Sequence, residues 1–202
     1  MKASDRDRMD SSTEKIQRRE MILDLLVTEQ IRSFVGTDYP GRLGRIFMRR
    51  VRRMLRKLDM YLVNKKSFKR DYPGDSLIGI TKIRNKNIFD VIQSNDAEFV
   101  DIDLCGGMSL EDWRKIAEAS YWRVLVLTFT PKFRHKELRS MLKPGEDVAM
   151  FMEMMCQENG WKPPRILQHY QRPNKKTSKN VLEGILKEDK RSPWYWTFLL
   201  TR

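Results

Sequence analysis

Residues 98–131 constrain the fold of this chain more than any other stretch. Glu98 to Leu104 alternates, setting Phe99, Asp101 and Asp103 against Val100, Ile102 and Leu104, as a strand with one polar face does. Cys105-Gly-Gly107 turns the chain. Ser109 with Asp112 then forms a capping box, opening a helix that runs to about Ser120. Tyr121 to Thr130 (YWRVLVLTFT) is the most apolar strand in the chain, and Pro131 ends it. Strand, helix and strand with short links predict a right-handed βαβ unit.

Around this unit the pattern is less uniform. Residues 1–10 are polar and mixed in charge, and are expected to be disordered. Ser11 and Glu14 form a capping box, so a helix should begin near Ser12, carry Ile16, Ile22, Leu23, Leu26, Val27, Ile31 and Phe34, and stop near Gly36. Asp38-Tyr-Pro-Gly41 reads as a turn, and a second helix follows from Arg42 to about Asn64. The short, Pro-containing link makes the two helices antiparallel neighbours. Ser67 to Ser76 is a turn-rich link and Leu77 to Ile83 a strand, while Ile88 to Gln93 fits either a short strand or a helical turn. Lys132–Leu142 and Asn180–Lys190 read as short helices, and Gly145–Glu158 as a Met-rich helix ended by Asn159-Gly160. Trp161 to Lys179, with Pro163, Pro164 and Pro173, reads as irregular, and Trp194 to Leu200 as a closing strand. The expected fold class is α+β. An N-terminal helical hairpin over residues 11–70 carries a basic amphipathic helix, and a small mixed β-sheet flanked by helices occupies 71–202.

Charge points to function. Gly41 to Arg70 holds twelve cations (Arg42, Arg45, Arg49, Arg50, Arg52, Arg53, Arg56, Lys57, Lys65, Lys66, Lys69 and Arg70) against Asp59 alone, giving +11 of the chain's +13. On a helical wheel the arginines fall on one face, opposite Leu43, Phe47, Val51, Met54, Leu55, Leu58, Tyr61 and Leu62. A solvated helix face usually mixes signs, because like charges four residues apart repel. A one-sign ridge therefore predicts an anionic partner. Arginine outnumbers lysine on the helix, favouring planar, bidentate contacts to phosphate. These twelve residues are the expected nucleic-acid-binding set, with RNA or a ribonucleoprotein as partner. The cluster Arg172, Lys175, Lys176 and Lys179 could extend it. The alternatives are a peripheral protein using the same face on an acidic membrane surface, and an adaptor for an acidic protein. The implied function is non-enzymatic, and the build suits a viral matrix or accessory (host-interaction) protein.

The remaining residues narrow the chemistry. Cys105 and Cys156 lack a C-x-x-C spacing, and the only histidines are His135 and His169. A Cys/His zinc site would use all four, so no metal or cofactor is expected. No apolar run approaches a membrane span and the N-terminus is no signal peptide, which predicts a soluble protein of the cytoplasm or nucleus. One enzymatic alternative stands. Asp101 and Asp103 share a strand face, and with Lys82 on a neighbouring strand they could hold a divalent cation against a phosphodiester, as in metal-dependent nucleases.

Overall fold

The computed structural model describes residues 13–37, 42–64, 80–104, 107–130, 147–171 and 194–202, and in it the first helix ends early. Helix α1 spans Thr13–Thr28. Its end is a Schellman cap: Ile31 N donates to Leu26 O (3.1 Å), Gln30 N donates to Val27 O (3.2 Å), and Gln30 sits at φ 51°. The chain leaves this cap as strand β1, Ser33–Thr37, where the sequence predicted continued helix. Glutamine is an unusual left-handed cap; the usual signal is Gly or Asn.

The basic stretch also divides. Helix α2 spans Arg42–Met54, and strand β2 takes Asp59–Asn64. Leu58, Met60 and Leu62 are buried between exposed Asp59 and half-buried Tyr61, a period of two that the helical wheel had absorbed into one apolar face. The expected helical hairpin is thus corrected to helix, strand, helix, strand.

Strand β3 is Ile80–Arg84, and helix α3, Ile88–Ser94, is capped by Asn87, whose side chain accepts from Phe89 N. Strand β4 (Phe99–Asp103), helix α4 (Leu110–Glu118) and strand β5 (Val124–Phe129) form the predicted βαβ unit, and both halves of the Ser109/Asp112 capping box are present. Helix α5, Asp147–Glu158, ends in a second Schellman cap with Gly160 at φ 67°. The stretch expected to be irregular holds strand β6, Arg165–Gln171, and the chain closes with strand β7, Trp194–Thr201.

The sheet has seven strands in the order β3-β2-β1-β4-β5-β7-β6. The first five are parallel; β7 runs antiparallel to both β5 and β6. This replaces the expected small mixed sheet, and strands from both sides of residue 70 belong to it. Helices cover both faces. Ile22, Leu23 and Leu26 of α1 and Phe47, Met48 and Val51 of α2 pack with Phe34, Phe99, Val124 and Val126. On the other face Trp113, Phe151 and Trp161 pack with Val100, Leu125, Leu127 and Phe198. β5 lies between two apolar layers, which explains its nearly continuous hydrophobicity, whereas β4 is buried through Ile102 but alternates Asp101 and Asp103 with apolar residues. No helix among the described residues is long and apolar enough to cross a membrane. The expectations for residues 1–10, Asp38–Gly41, Ser67–Ser76, Lys132–Leu142 and Asn180–Lys190 lie outside the described residues.

Gly36 of β1 leaves room for the ring of Phe34. A Cβ there would come 2.7 Å from that ring, which is buried and stacked on Phe99 at 5.7 Å. Gly36→Ala should destabilise the fold by about 1–3 kcal/mol, as overpacking does. Urea unfolding would register this as a lower midpoint at an unchanged slope.

Candidate functional site at the carboxyl ends of the parallel strands

Strand order reverses between β1 and β4: the chain goes from β1 to β2 and β3 on one side and from β4 to β5 on the other. In open α/β sheets such a switch point leaves a crevice above the carboxyl ends of the two strands. Here those ends are Thr37 and Asp103, joined by a hydrogen bond in which Asp103 N donates to Thr37 Oγ1 (3.0 Å).

The sheet face under α1 changes character along its strands. Its amino half is apolar, with Phe34, Phe99, Val124 and Val126, and meets Ile22, Leu23 and Leu26. Its carboxyl half holds Asp101, Asp103, Thr128, Thr130 and Thr197, because every second residue of a strand returns to the same face. The first turns of α1 answer with cations. Arg18 donates to Asp101 Oδ1 through one terminal nitrogen and to Thr128 Oγ1 through Nε (2.9 Å). Thr128 Oγ1 is in turn 2.9 Å from Thr197 Oγ1. Arg18 and Asp101 are 4% and 0% exposed, so the pair is desolvated. Above it Lys15 Nζ donates to Asp103 Oδ2 (3.2 Å), and Arg18 lies 4.0 Å from the same oxygen. Lys15 and Asp103 are each 24% exposed and reach the rim. Thr130, at the same edge after β5, is 2% exposed, and its Oγ1 has no hydrogen-bond partner among the described residues.

This geometry corrects the nuclease alternative. Asp101 and Asp103 do share a face, but Arg18 and Lys15 neutralise both carboxylates, leaving no surplus negative charge for a divalent cation. Lys82 lies on β3, three strand spacings from β4, roughly 14 Å away by sheet geometry. Among the described residues there is no cluster of three or more potential metal ligands.

The predicted cationic set is divided among several environments. Arg49, Arg53, Arg56 and Lys57 are exposed, whereas Arg45 and Arg52 are half-buried. Arg50 donates through one terminal nitrogen to both carboxylate oxygens of Glu20 (2.6 and 2.7 Å), and Arg52 donates to Leu58 O (2.8 Å). The side chain of Arg42 lies outside the described residues, as do Lys65, Lys66, Lys69, Arg70, Arg172, Lys175, Lys176, Lys179, Cys105 and His135. Exposed His169 stacks on Trp196 at 3.8 Å, and burial pushes the Cys156 thiol up to about 11, so it is no nucleophile at neutral pH. Lys15, Arg18, Thr37, Thr128 and Thr130 escaped the sequence reading. One signal for Arg18 existed: it lies four and eight residues before Ile22 and Leu26, so it extends the buried stripe of α1.

No protein-family model and no curated protein sequence matches this chain. Solved structures do. The methyltransferase domain of bacterial CtHen1 is similar with a TM-score of 0.52 at 8% identity, over 92% of this chain and 98% of that one. The plantazolicin methyltransferase BpumL, in complex with a monoazolic desmethylPZN analogue and SAH, reaches 0.56 at 8% identity, over 98% and 88%. A Lactococcus lactis protein described as a hemolysin reaches 0.50 at 10%, over 92% and 88%. At such identities the likeness is one of fold. That fold is the doubly wound, methyltransferase-like sheet, and it overturns the expected non-enzymatic, matrix-like protein together with its membrane-binding and nuclease alternatives.

The buried pair makes a direct prediction. Arg18→Ala strands a desolvated carboxylate and should lower stability by about 3–5 kcal/mol, while Arg18→Met combined with Asp101→Leu should recover most of that loss. Equilibrium unfolding of the two variants and the parent measures both effects.

Proposed function

We propose that this chain is a methyltransferase that uses S-adenosylmethionine, held in the crevice above β1 and β4. The observation that carries this reading is a parallel sheet with a polar residue set at its switch point and with β7 reversed between β5 and β6, in a fold similar to methyltransferase structures over more than nine-tenths of this chain. The cofactor supplies a methyl group activated on a sulfonium sulfur.

The residues at the rim fit such a ligand. Its amino-acid end carries one carboxylate and one ammonium. The rim offers Lys15 and Asp103, one charge of each sign, both partly exposed. Thr37 accepts from Asp103 N and keeps its own hydroxyl proton to donate. Thr130 adds a buried hydroxyl with its hydrogen-bonding capacity unspent among the described residues. Arg18 works from beneath: by anchoring Asp101 and approaching Asp103 it positions the rim carboxylate. The methyl acceptor in this reading is RNA or a ribonucleoprotein. The exposed cations Arg49, Arg53, Arg56 and Lys57 support that class, on α2 and the turn after it, in the connection that leaves β1 at the crevice.

Calorimetry with S-adenosylmethionine and S-adenosylhomocysteine tests the cofactor. Saturable binding is expected, and Lys15→Ala or Asp103→Ala should each weaken it about tenfold, or ~1.4 kcal/mol. Absence of binding to either nucleoside ends the reading. Transfer of labelled methyl from the cofactor to RNA, and not to protein in the same extract, is the expected result for the acceptor.

A further inference from the structure

The opposite edge of the sheet carries a second concavity. α2 ends at Met54, and residues 55–58 turn into β2 beside the chain entering β1, where Asp59 N donates to Arg32 O (2.9 Å). Arg52 holds this turn in place through its bond to Leu58 O (2.8 Å). Between the turn and the start of β1 lies a cavity of about 370 Å³, bounded by Arg32, Arg53, Arg56 and Lys57 together with Met54 and Leu55.

The charge of α2 is thus sorted by position. Arg50 and Arg52 are engaged within the fold, whereas the four cations around this cavity are exposed and make no side-chain ion pair or hydrogen bond among the described residues. No acid is among the described residues that line the cavity. Glu98 has its Oε2 on the backbone N of Arg32 (2.7 Å), and Asp59 is exposed at the foot of β2. The cavity therefore has a cationic rim, and Met54 and Leu55 provide an apolar wall.

We propose that this cavity is a binding site for a nucleoside phosphate, with the phosphate on the arginines and the base against Met54 and Leu55. Three of the four cations are arginines, whose planar fork matches two phosphate oxygens at once. Small-ligand pockets span about 300–1,000 Å³ and combine apolar walls with a few polar anchors, so the volume suits one nucleotide unit. β1 separates this site from the crevice at its other end by about 17 Å, five residues of strand. Cofactor binding at the crevice and nucleotide binding here can therefore fail separately, although the RNA form of this inference deepens the acceptor reading above, which drew on Arg53, Arg56 and Lys57. The same chemistry is offered by a free mononucleotide and by one unit of an RNA strand.

Binding measurements on the full chain, without cofactor, decide the matter. Probes are adenosine monophosphate, a ten-residue oligoribonucleotide and inorganic phosphate. The nucleotide or the oligonucleotide should bind saturably and more tightly than inorganic phosphate; binding of both assigns the site to free nucleotide, and binding of the oligonucleotide alone assigns it to RNA. Arg53→Ala with Arg56→Ala should cost at least tenfold in affinity and reduce the log–log salt slope for the oligonucleotide by about 1.4. Arg114→Ala with Lys162→Ala removes the same charge from exposed positions elsewhere, and should change affinity less than twofold. Met54→Asp keeps every cation but sets a carboxylate on the apolar wall, and should also weaken binding. All three variants alter exposed side chains, and unchanged melting temperatures would verify their folding. Failure of both nucleotide probes, equal losses in the two double variants, or inorganic phosphate binding as tightly as the nucleotide would overturn the proposal.

Discussion

The contact between Arg18 and Asp101 ties the first helix to the centre of the sheet, across 83 residues of sequence. Taking two charges out of water is expensive, and their attraction offsets the cost only when the remaining donors and acceptors are satisfied. Here Thr128 accepts from Arg18 and is itself paired with Thr197, so the network draws on α1, β4, β5 and β7. A helix packed by Ile22, Leu23 and Leu26 alone could slide along an apolar surface. The ion pair admits one register. It also places Lys15 against Asp103, which brings a charge of each sign to the rim of the crevice.

The sheet then gives its two edges different work. Crossovers leave β1 and β4 in opposite directions, so the carboxyl edge opens at the point where polar side chains collect. α2 carries the chain from that edge to the other. Along the way its arginines pass from half-buried Arg45, through exposed Arg49 and Arg50, the latter on Glu20, and Arg52 on the turn, to exposed Arg53, with exposed Arg56 in the turn beyond. One helix of nearly uniform composition serves as brace at its middle and as cationic rim at its end.

Much of the right-hand half of the sheet was legible in sequence. The alternation of β4, the Ser109/Asp112 box, the apolar run of β5 and the closing strand β7 all carry local signals strong enough to survive tertiary packing. The left half was not, for identifiable reasons. Gln30 adopts a left-handed cap that usually falls to glycine or asparagine, so β1 looked like helix. The apolar residues of 55–62 satisfy periods of 3.6 and 2 alike, so β2 looked like helix too. Without β1 and β2 there is no switch point, and without a switch point the two aspartates of β4 had no site to belong to.

By itself the sequence determined which residues are apolar, where charge concentrates and how the βαβ unit is built, because these follow from neighbours within a few turns of chain. It singled out Asp101 and Asp103 as chemically unusual and set a strongly cationic stretch between residues 41 and 70. Tertiary structure alone decided what faces them. Whether a carboxylate is a metal ligand, an ion-pair partner or a rim for a ligand depends on the charges brought against it, and here those charges come from a helix more than 80 residues away. Which arginines are braces and which are open depends in the same way on Glu20 and the carbonyl of Leu58, groups that packing and not proximity along the chain supplies.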